Sequence, residues 1–438
     1  MKYARFFLIL TLLGAAIFAT AAHAQSEAPR AVIMTADGPI MPPMLEYIRR
    51  GVETAERQNA EVLVIQLNTP GGSVDTMLEL IREIRASDVP VVVYVAPKNA
   101  IAGSAGAMIT MAGHASAMAP ETSIGASSPI SGSGENLNST AEAKAKEIIK
   151  ASIRPLVTPR GEEALQLAEA MIDEAKAVTA DEALEAKLID FVADDTEDLL
   201  QALDGFTVQL SDGPRTINTS GIETDALGMS FIEEILLLLT DPNIAFILLA
   251  IGVQAILIEI SSPGGWVAGF IGAVCLTLAT YGMGVLPVNW FGIIFLIIAF
   301  VLFILDIKAP THGALTTAGV ASFIIGALVL FNSPGTPQFQ RVSVPLVVGT
   351  GFVIGLMFMV ILMFALRALK VPVRAGIESL VGKLGTARTA VEGSGGQVQL
   401  GSELWTAESV DTAESIGKGD KVEVVEVKGL RLKVRKIK

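Results

Sequence analysis

The sequence predicts a multidomain chain: an N-terminal α/β domain, a region of five transmembrane helices and a small C-terminal β-barrel. Three observations predict it. Over residues 31–225, short apolar runs alternate with amphipathic segments, the pattern of strands alternating with helices. Between Ile244 and Leu369, five apolar runs follow with almost no charge, each near or above the shortest length that spans a bilayer. From residue 376 to 438, apolar and polar residues alternate between closely spaced glycines, as in a small barrel of short strands. A length of 438 residues allows roughly three domains.

The N-terminus opens with Lys2 and Arg5, then the apolar run Phe6 to Ala19, then Ala22-His23-Ala24. A charged start, an apolar stretch and a small-residue box predict a signal peptide over residues 1–24. The next domain is taken as residues 25–225. Ala31 to Met34 reads as a strand, and Met44 to Gln58 has helical spacing with Leu45, Ile48 and Val52 on one face. Val62 to Leu67 reads as a buried strand, Val74 to Ala86 as a helix and Pro90 to Val95 as a strand. Ser131 to Thr140 is rich in Gly, Ser and Asn and predicts a loop. Helices follow at Ala141 to Ile153 and Glu162 to Ala175.

The membrane region is taken as residues 226–370. Phe231 to Leu239 predicts an amphipathic helix on the membrane surface. The spans are placed at 244–260, 266–286, 290–305, 314–331 and 344–369. Trp266 and Trp290 fall at run ends, where interfacial aromatics are enriched. A secreted N-terminus and five spans leave Arg367, Lys370 and Arg374 in the cytoplasm, with Lys308 in a cytoplasmic loop and only Arg341 outside, in keeping with the positive-inside tendency. Four spans would export the first three and rank second. The expected location is therefore the cell inner membrane, multi-pass, with the first domain periplasmic and the barrel cytoplasmic. In the barrel, taken as residues 376–438, Val422 to Val427 and Leu430 to Val434 alternate as half-buried strands do.

Composition excludes several classes of function. A net charge of −13 and a barrel with Trp405 as its one aromatic do not suit nucleic acid, which needs a basic face and stacking rings. Cys275 is the single cysteine, so there is neither an internal disulfide nor a cysteine zinc site. His23, His114 and His312 are too scattered for a metal cluster. No cofactor or metal is expected. No Walker-type phosphate loop is present, so any catalysis is ATP-independent.

Chemistry concentrates in two stretches. Pro70-Gly71-Gly72 follows the strand at Val62, and Gly103-Ser104-Ala105-Gly106 sets a serine at a helix start. Glycines without Cβ let backbone N–H groups approach a ligand closely, so Gly71 and Gly72, with Ala105, are candidates to hold an oxyanion; a plain turn is the competing reading. Ser104 is the candidate nucleophile and needs a base. His114 lies beyond the helix that follows Ser104 and reads as structural. A lysine serves as base when burial lowers its pKa. Lys144 and Lys146, at the start of the next helix, are the candidates; residue types do not choose between them, and both could be solvated helix lysines.

These residues resemble the NfeD family of membrane-bound serine proteases, in the Clp-protease-like class. The matching stretches are Leu67 to Ser73, Ala102 to Gly106, Ala117 to Ala126, Thr179 to Leu184, Thr240 to Ala245, Pro287 to Trp290 and Gly401 to Ala407. The resemblance implies a Clp/crotonase-like α/β fold and an OB-like C-terminal barrel of the NfeD type. It implies a Ser–Lys dyad endopeptidase with Ser104 as nucleophile and Gly71, Gly72 and Ala105 around the oxyanion. The family lysine lies ten residues ahead of a basic residue in the same helix, which Lys144 and Arg154 fit, so the resemblance selects Lys144. It further implies protein substrates, cleavage of apolar segments in stomatin-like membrane proteins, and at least a homodimer. The alternative is a non-catalytic membrane scaffold that partners stomatin-like proteins. A crotonase-type acyl-CoA enzyme shares the Gly-Gly loop but does not suit a secreted domain.

Overall fold

The computed structural model describes residues 29–129, 139–261, 265–308, 311, 313–333, 336–370, 377–392, 395–411 and 415–437. The predicted signal peptide, most of the Gly/Ser loop and Arg374 lie outside the described residues. The chain divides into two compact units, residues 1–304 with 315–355, and residues 305–314 with 356–438.

In the first unit, β1 (Arg30–Asp37), α1 (Pro42–Arg57), β2 (Val62–Asn68), α2 (Val74–Ala86) and β3 (Val91–Val95) follow one another. With β4 (Ile101–Gly103), α3 (Ala105–Ala112), β5 (Ala115–Met118) and β6 (Ser123–Gly125) they build the half of the domain that carries Ser104. Next come α4 (Ser139–Val157), α5 (Glu162–Asp173), β7 (Ala177–Thr179), α6 (Ala180–Glu185), β8 (Phe191–Val192) and α7 (Thr196–Leu203). A hairpin of β9 (Thr207–Leu210) and β10 (Gly213–Thr216) precedes β11 (Glu223–Leu227). The main sheet has six parallel strands in the order β11-β1-β2-β3-β5-β8. Because β11 pairs with β1 through Leu227, the sheet runs past the expected boundary at residue 225.

Both faces of the sheet are covered, which explains why its strands read as continuous apolar runs. Side chains alternate across the sheet. Leu63, Ile65, Val91 and Val93 pack beneath α1 to α3, while Val62, Val64, Val92 and Tyr94 face α7 and the hairpin. A second small sheet of β4, β6 and β7 stands beside the first. The Ser131 to Thr140 loop ends earlier than expected, since Ser139 and Thr140 already belong to α4.

The same unit contains α8 (Phe231–Leu238), α9 (Pro242–Ser261), α10 (Val267–Val285), α12 (Ala314–Phe331) and the parts of α11 (Phe291–Lys308) and α13 (Val344–Lys370) within its bounds. Four segments, Pro242–Ile260, Val267–Val285, Ala314–Phe331 and Gln338–Ile361, are long and apolar enough to cross a membrane. The apolar part of α11, Phe291–Asp306, is shorter. The helices meet at small residues. A Cβ on Gly292 would lie 2.5 Å from the Gly326 carbonyl oxygen, and one on Gly272 would lie 2.9 Å from that of Gly252. Close backbone approach of this kind supplies the packing that holds apolar helices together in lipid, where burial alone offers no drive.

The second unit contains a closed five-stranded barrel of β12 (Leu384–Ala387), β13 (Gly396–Leu400), β14 (Glu403–Ser409), β15 (Lys421–Lys428) and β16 (Arg431–Lys436). Their order is β12-β13-β14-β16-β15, with β14 and β16 parallel. Val398, Val422, Val424, Leu432 and Val434 fill the interior, the alternation read from the sequence.

Candidate active site

The strand β2 ends at Asn68, and the next residues are bonded to the strand that leads into Ser104. Thr69 N–H donates to the Ile101 carbonyl (2.7 Å) and Gly103 N–H to the Thr69 carbonyl (2.9 Å). Gly71 N–H donates to the buried Thr69 Oγ1 (3.1 Å). This contact is why the residues around Ser104 are small. A Cβ on Gly103 would lie 3.0 Å from the Pro70 carbonyl oxygen, and one on Gly106 would run into the Thr69 methyl. Pro70-Gly71-Gly72 is therefore more than a turn: it is the wall against which Ser104 is set. A Cβ on Gly71 would stand 2.6 Å from Ser104 Cβ and 3.2 Å from its Oγ, and Gly71 has φ of 113°.

Ser104 sits between β4 and α3 with φ 51° and ψ −114°. A non-glycine residue held there stores roughly 1–3 kcal/mol of strain, and such strain clusters at functional sites, which makes Ser104 a candidate. The neighbours that enforce it are explicit. Ser104 N–H donates to the Gly125 carbonyl (2.8 Å), and Ser127 Oγ donates to the Ser104 carbonyl (3.1 Å). Both backbone groups are taken, and the side chain is left half-buried at the mouth of a cleft. A sharp strand-to-helix turn presents the nucleophile in α/β-hydrolases.

Two N–H groups suit an oxyanion beside it. Ile40 and Gly72 form a parallel bridge in which Ile40 N–H donates to the Gly71 carbonyl and Ser73 N–H to the Ile40 carbonyl. That pattern uses the groups on either side of Gly72 and directs the Gly72 N–H away from Ile40, and Gly72 lines the cleft. A Cβ on Gly72 would collide with the Ile40 carbonyl. Ala105 is the first residue of α3, so its N–H is one that a helix leaves without an internal acceptor, at the positive end of the helix dipole.

The two lysines differ in surroundings. They are two residues apart on α4, so at 100° per residue they project to opposite sides of the helix. Lys146 faces α5: its Nζ donates to the Asp173 carbonyl (3.0 Å) and pairs with Glu142 (2.8 Å). Lys150, one turn on, pairs with the Asp173 carboxylate (3.1 Å). Both brace α4 against the end of α5. Lys144 is exposed on the other side. It is not among the residues that line the cleft, and no hydrogen bond among the described residues joins it to Ser104. Among the described residues, none supplies the apolar cover expected around a lysine base. Arg154 pairs with Glu169 (2.6 Å).

His114 is buried, and its Nδ1 accepts from Val91 N–H (3.1 Å). Burial, aided by the nearby Arg85, pushes its pKa down to about 4. It is a neutral side chain that closes the end of β3, in agreement with its reading as structural.

The cleft at Ser104 has a volume of about 430 Å³. Gly72, Ser73 and Asp75 form one side, and Ala126 and Ser128 another. Sequence reasoning missed the remaining wall, which comes from the membrane region: Val285 at the end of α10, Pro287 just after it, and Pro337, Phe339 and Gln340 before α13. It also missed Gly125, whose φ of 130° and close approach to the Lys176 carbonyl admit no side chain. The positive φ leaves no trace in a single sequence beyond the glycine itself.

Known proteins resemble the chain along its length. Residues 35–210 match the family described as NfeD1b, N-terminal domain; residues 243–364 match the NfeD integral membrane domain; residues 377–436 match the NfeD-like C-terminal, partner-binding domain. The chain is 36% identical over 392 residues to the membrane-bound protease PH1510 of Pyrococcus horikoshii, covering 87% of this chain and 88% of that protein. It is 25% identical over 456 residues to the membrane protein NfeD1b of Bacillus subtilis, covering 98% and 97%. Among solved structures, a lysine-to-alanine variant of the 1510-N membrane-bound stomatin-specific protease in complex with a substrate peptide is 31% identical. It covers 48% of this chain and 98% of its own, with a TM-score of 0.45.

Proposed function

The chain belongs to the NfeD family and is an integral membrane protein, and on that premise we propose that it is a membrane-anchored, ATP-independent serine endopeptidase. The observation that carries the reading is Ser104, held with positive φ at a helix start against the Gly71-Gly72 loop. In the reaction, Lys144 is the general base that takes the proton from Ser104 Oγ as it attacks a peptide carbonyl. The Gly72 and Ala105 N–H groups hold the oxyanion, each donor contributing about 3–4 kcal/mol to the transition state. Lys144 then protonates the leaving amine, and water hydrolyses the acyl-enzyme. Lys144 is preferred to Lys146 because the latter is engaged by Asp173 and Glu142. The apolar cover that the described residues do not give Lys144 is assigned to the substrate or to a second copy in a homodimer.

The substrate class is taken as stomatin-like membrane proteins, after the specificity in the name of the 1510-N protease, with cleavage in their apolar segments as the family resemblance implies. The barrel is read as OB-like, a reading that its five strands support. Its role is partner binding, as the description of its family states. The membrane region is read as five spans, with α11 the short one, which keeps the α/β domain periplasmic and the barrel cytoplasmic at the inner membrane. Purified protein should cleave an apolar peptide, and Ser104→Ala should remove cleavage while the circular dichroism spectrum is unchanged. Cleavage retained in Ser104→Ala would sink the reading. One observation favours the scaffold alternative: Lys144 is exposed. An unaltered phenotype in a strain carrying Ser104→Ala would select it.

A further inference from the structure

The cleft at Ser104 does not end at its own rim. A second cavity, also about 430 Å³, shares Met41, Pro70, Phe339 and Gln340 with it. These four residues are thus a partition with the serine on one side. Beyond it, Met229, Leu237 and Leu238 give the second cavity an apolar lining, while Asp37, Glu234 and Asp241 give it an acidic rim. Two of the four partition residues come from the membrane region rather than from the α/β domain.

The turn that presents them is built, not loose. Gln340 N–H donates to the Pro337 carbonyl (3.0 Å) and Arg341 N–H to the Gln338 carbonyl (3.2 Å), closing a short 3₁₀ turn. Arg341 Nε donates to the Thr336 carbonyl (2.8 Å). Asn332 clamps Val342 with both ends of its amide, at 2.9 and 2.8 Å. Ser343 N–H donates to Asn243 Oδ1 on α9 (2.8 Å). With its backbone fixed in this way, Phe339 is held at the partition, 37% exposed, and Gln340 is buried beside it.

We propose that Phe339 is a specificity-determining residue of the endopeptidase, the wall that sizes an apolar subsite beside Ser104 for one side chain of the substrate chain. The inference rests on the endopeptidase reading and deepens it. An extended peptide whose carbonyl meets Ser104 continues past Pro70 and Met41, so a neighbouring side chain falls into the second cavity. The lining favours an apolar side chain there, and the acidic rim disfavours Asp or Glu by like-charge repulsion and desolvation. Specificity is then set by the membrane region for a reaction carried out on the α/β domain, and a substrate reaches the serine along the face where the two meet.

The test uses full-length protein in lipid nanodiscs and internally quenched peptides that differ at one position near the cleaved bond: Ala, Leu, Phe or Asp. Fluorophosphonate labelling of Ser104 is measured on the same samples. In wild type, kcat/KM should favour Leu and Phe over Ala and Asp. Phe339→Ala should reduce the Leu-over-Ala preference about tenfold, chiefly through KM, with labelling unchanged. Phe339→Trp should shift the preference towards the smaller side chain. Intact labelling with an unchanged preference in both variants overturns the proposal and leaves the endopeptidase standing. Loss of labelling in both variants also overturns it, because Phe339 would then support the site rather than select substrate. A wild-type protein that neither labels nor cleaves overturns the endopeptidase reading, and this inference falls with it.

Discussion

Ser104 and Gly71 are coupled through space by the absence of a side chain. Gly71→Ala would place a methyl 2.6 Å from Ser104 Cβ and force a residue with φ of 113° into a region that L side chains rarely adopt. The loop or the serine must shift, and a displacement of about 1 Å at a reacting atom costs roughly a hundredfold in rate. Gly71→Ala should therefore lower kcat by about two orders of magnitude while the thermal melt stays cooperative; an unaltered kcat would mean that the loop does not set the serine. The Gly-Gly pair and the serine were legible in the sequence because turn chemistry is local. The choice between Lys144 and Lys146 was not, because spacing tells that they face apart without telling which face α5 covers. His114, read as structural from its place beyond a helix, is buried and accepts from Val91 N–H, a partner that spacing could not foresee.

At the scale of elements, α8 shows how the α/β domain is tied to the membrane region. A capping box of Ser230 and Glu233 starts it, and Arg50 on α1 holds the same Glu233 with two bonds at 2.9 and 2.7 Å. Tyr47 Oη donates to the Leu227 carbonyl just ahead (2.6 Å). Phe231, Ile232 and Leu238 remain exposed, the apolar face expected of a helix lying at a membrane surface. The hydrogen bond from Arg50 holds the Glu233 carboxyl below its ordinary value of 4.5. Because that pKa is depressed on folding, the stability that the tie contributes is present above about pH 4.5. It is lost as pH falls through the lowered folded value. Protection factors for hydrogen exchange of residues 231–238 should fall on acidification in that window, and Arg50→Ala should show the lowered protection already at pH 7. A protection pattern in Arg50→Ala equal to wild type would contradict this. The extent of α8 was legible from its amphipathic pattern, whereas the arginine that anchors it comes from α1, far back in the chain.

At the scale of the whole molecule, hydropathy located the apolar segments because lipid demands long runs free of charge. The fold of the first domain followed from alternation of strands and helices, and the barrel from period-two patterning between glycines. What hydropathy could not give is the wall of the cleft. Nothing in the sequence around Phe339 marks it, because its meaning depends on a contact between regions distant in sequence. The account makes the α/β domain a catalytic unit whose serine works only with a lysine from α4. Its most direct test is fluorophosphonate labelling of the full-length protein with peptide mass mapping, comparing wild type, Ser104→Ala, Lys144→Ala and Lys146→Ala. The account predicts labelling at Ser104 that persists in Lys146→Ala and disappears in Lys144→Ala. Undiminished labelling in Lys144→Ala, or none in a folded wild-type protein, would contradict it.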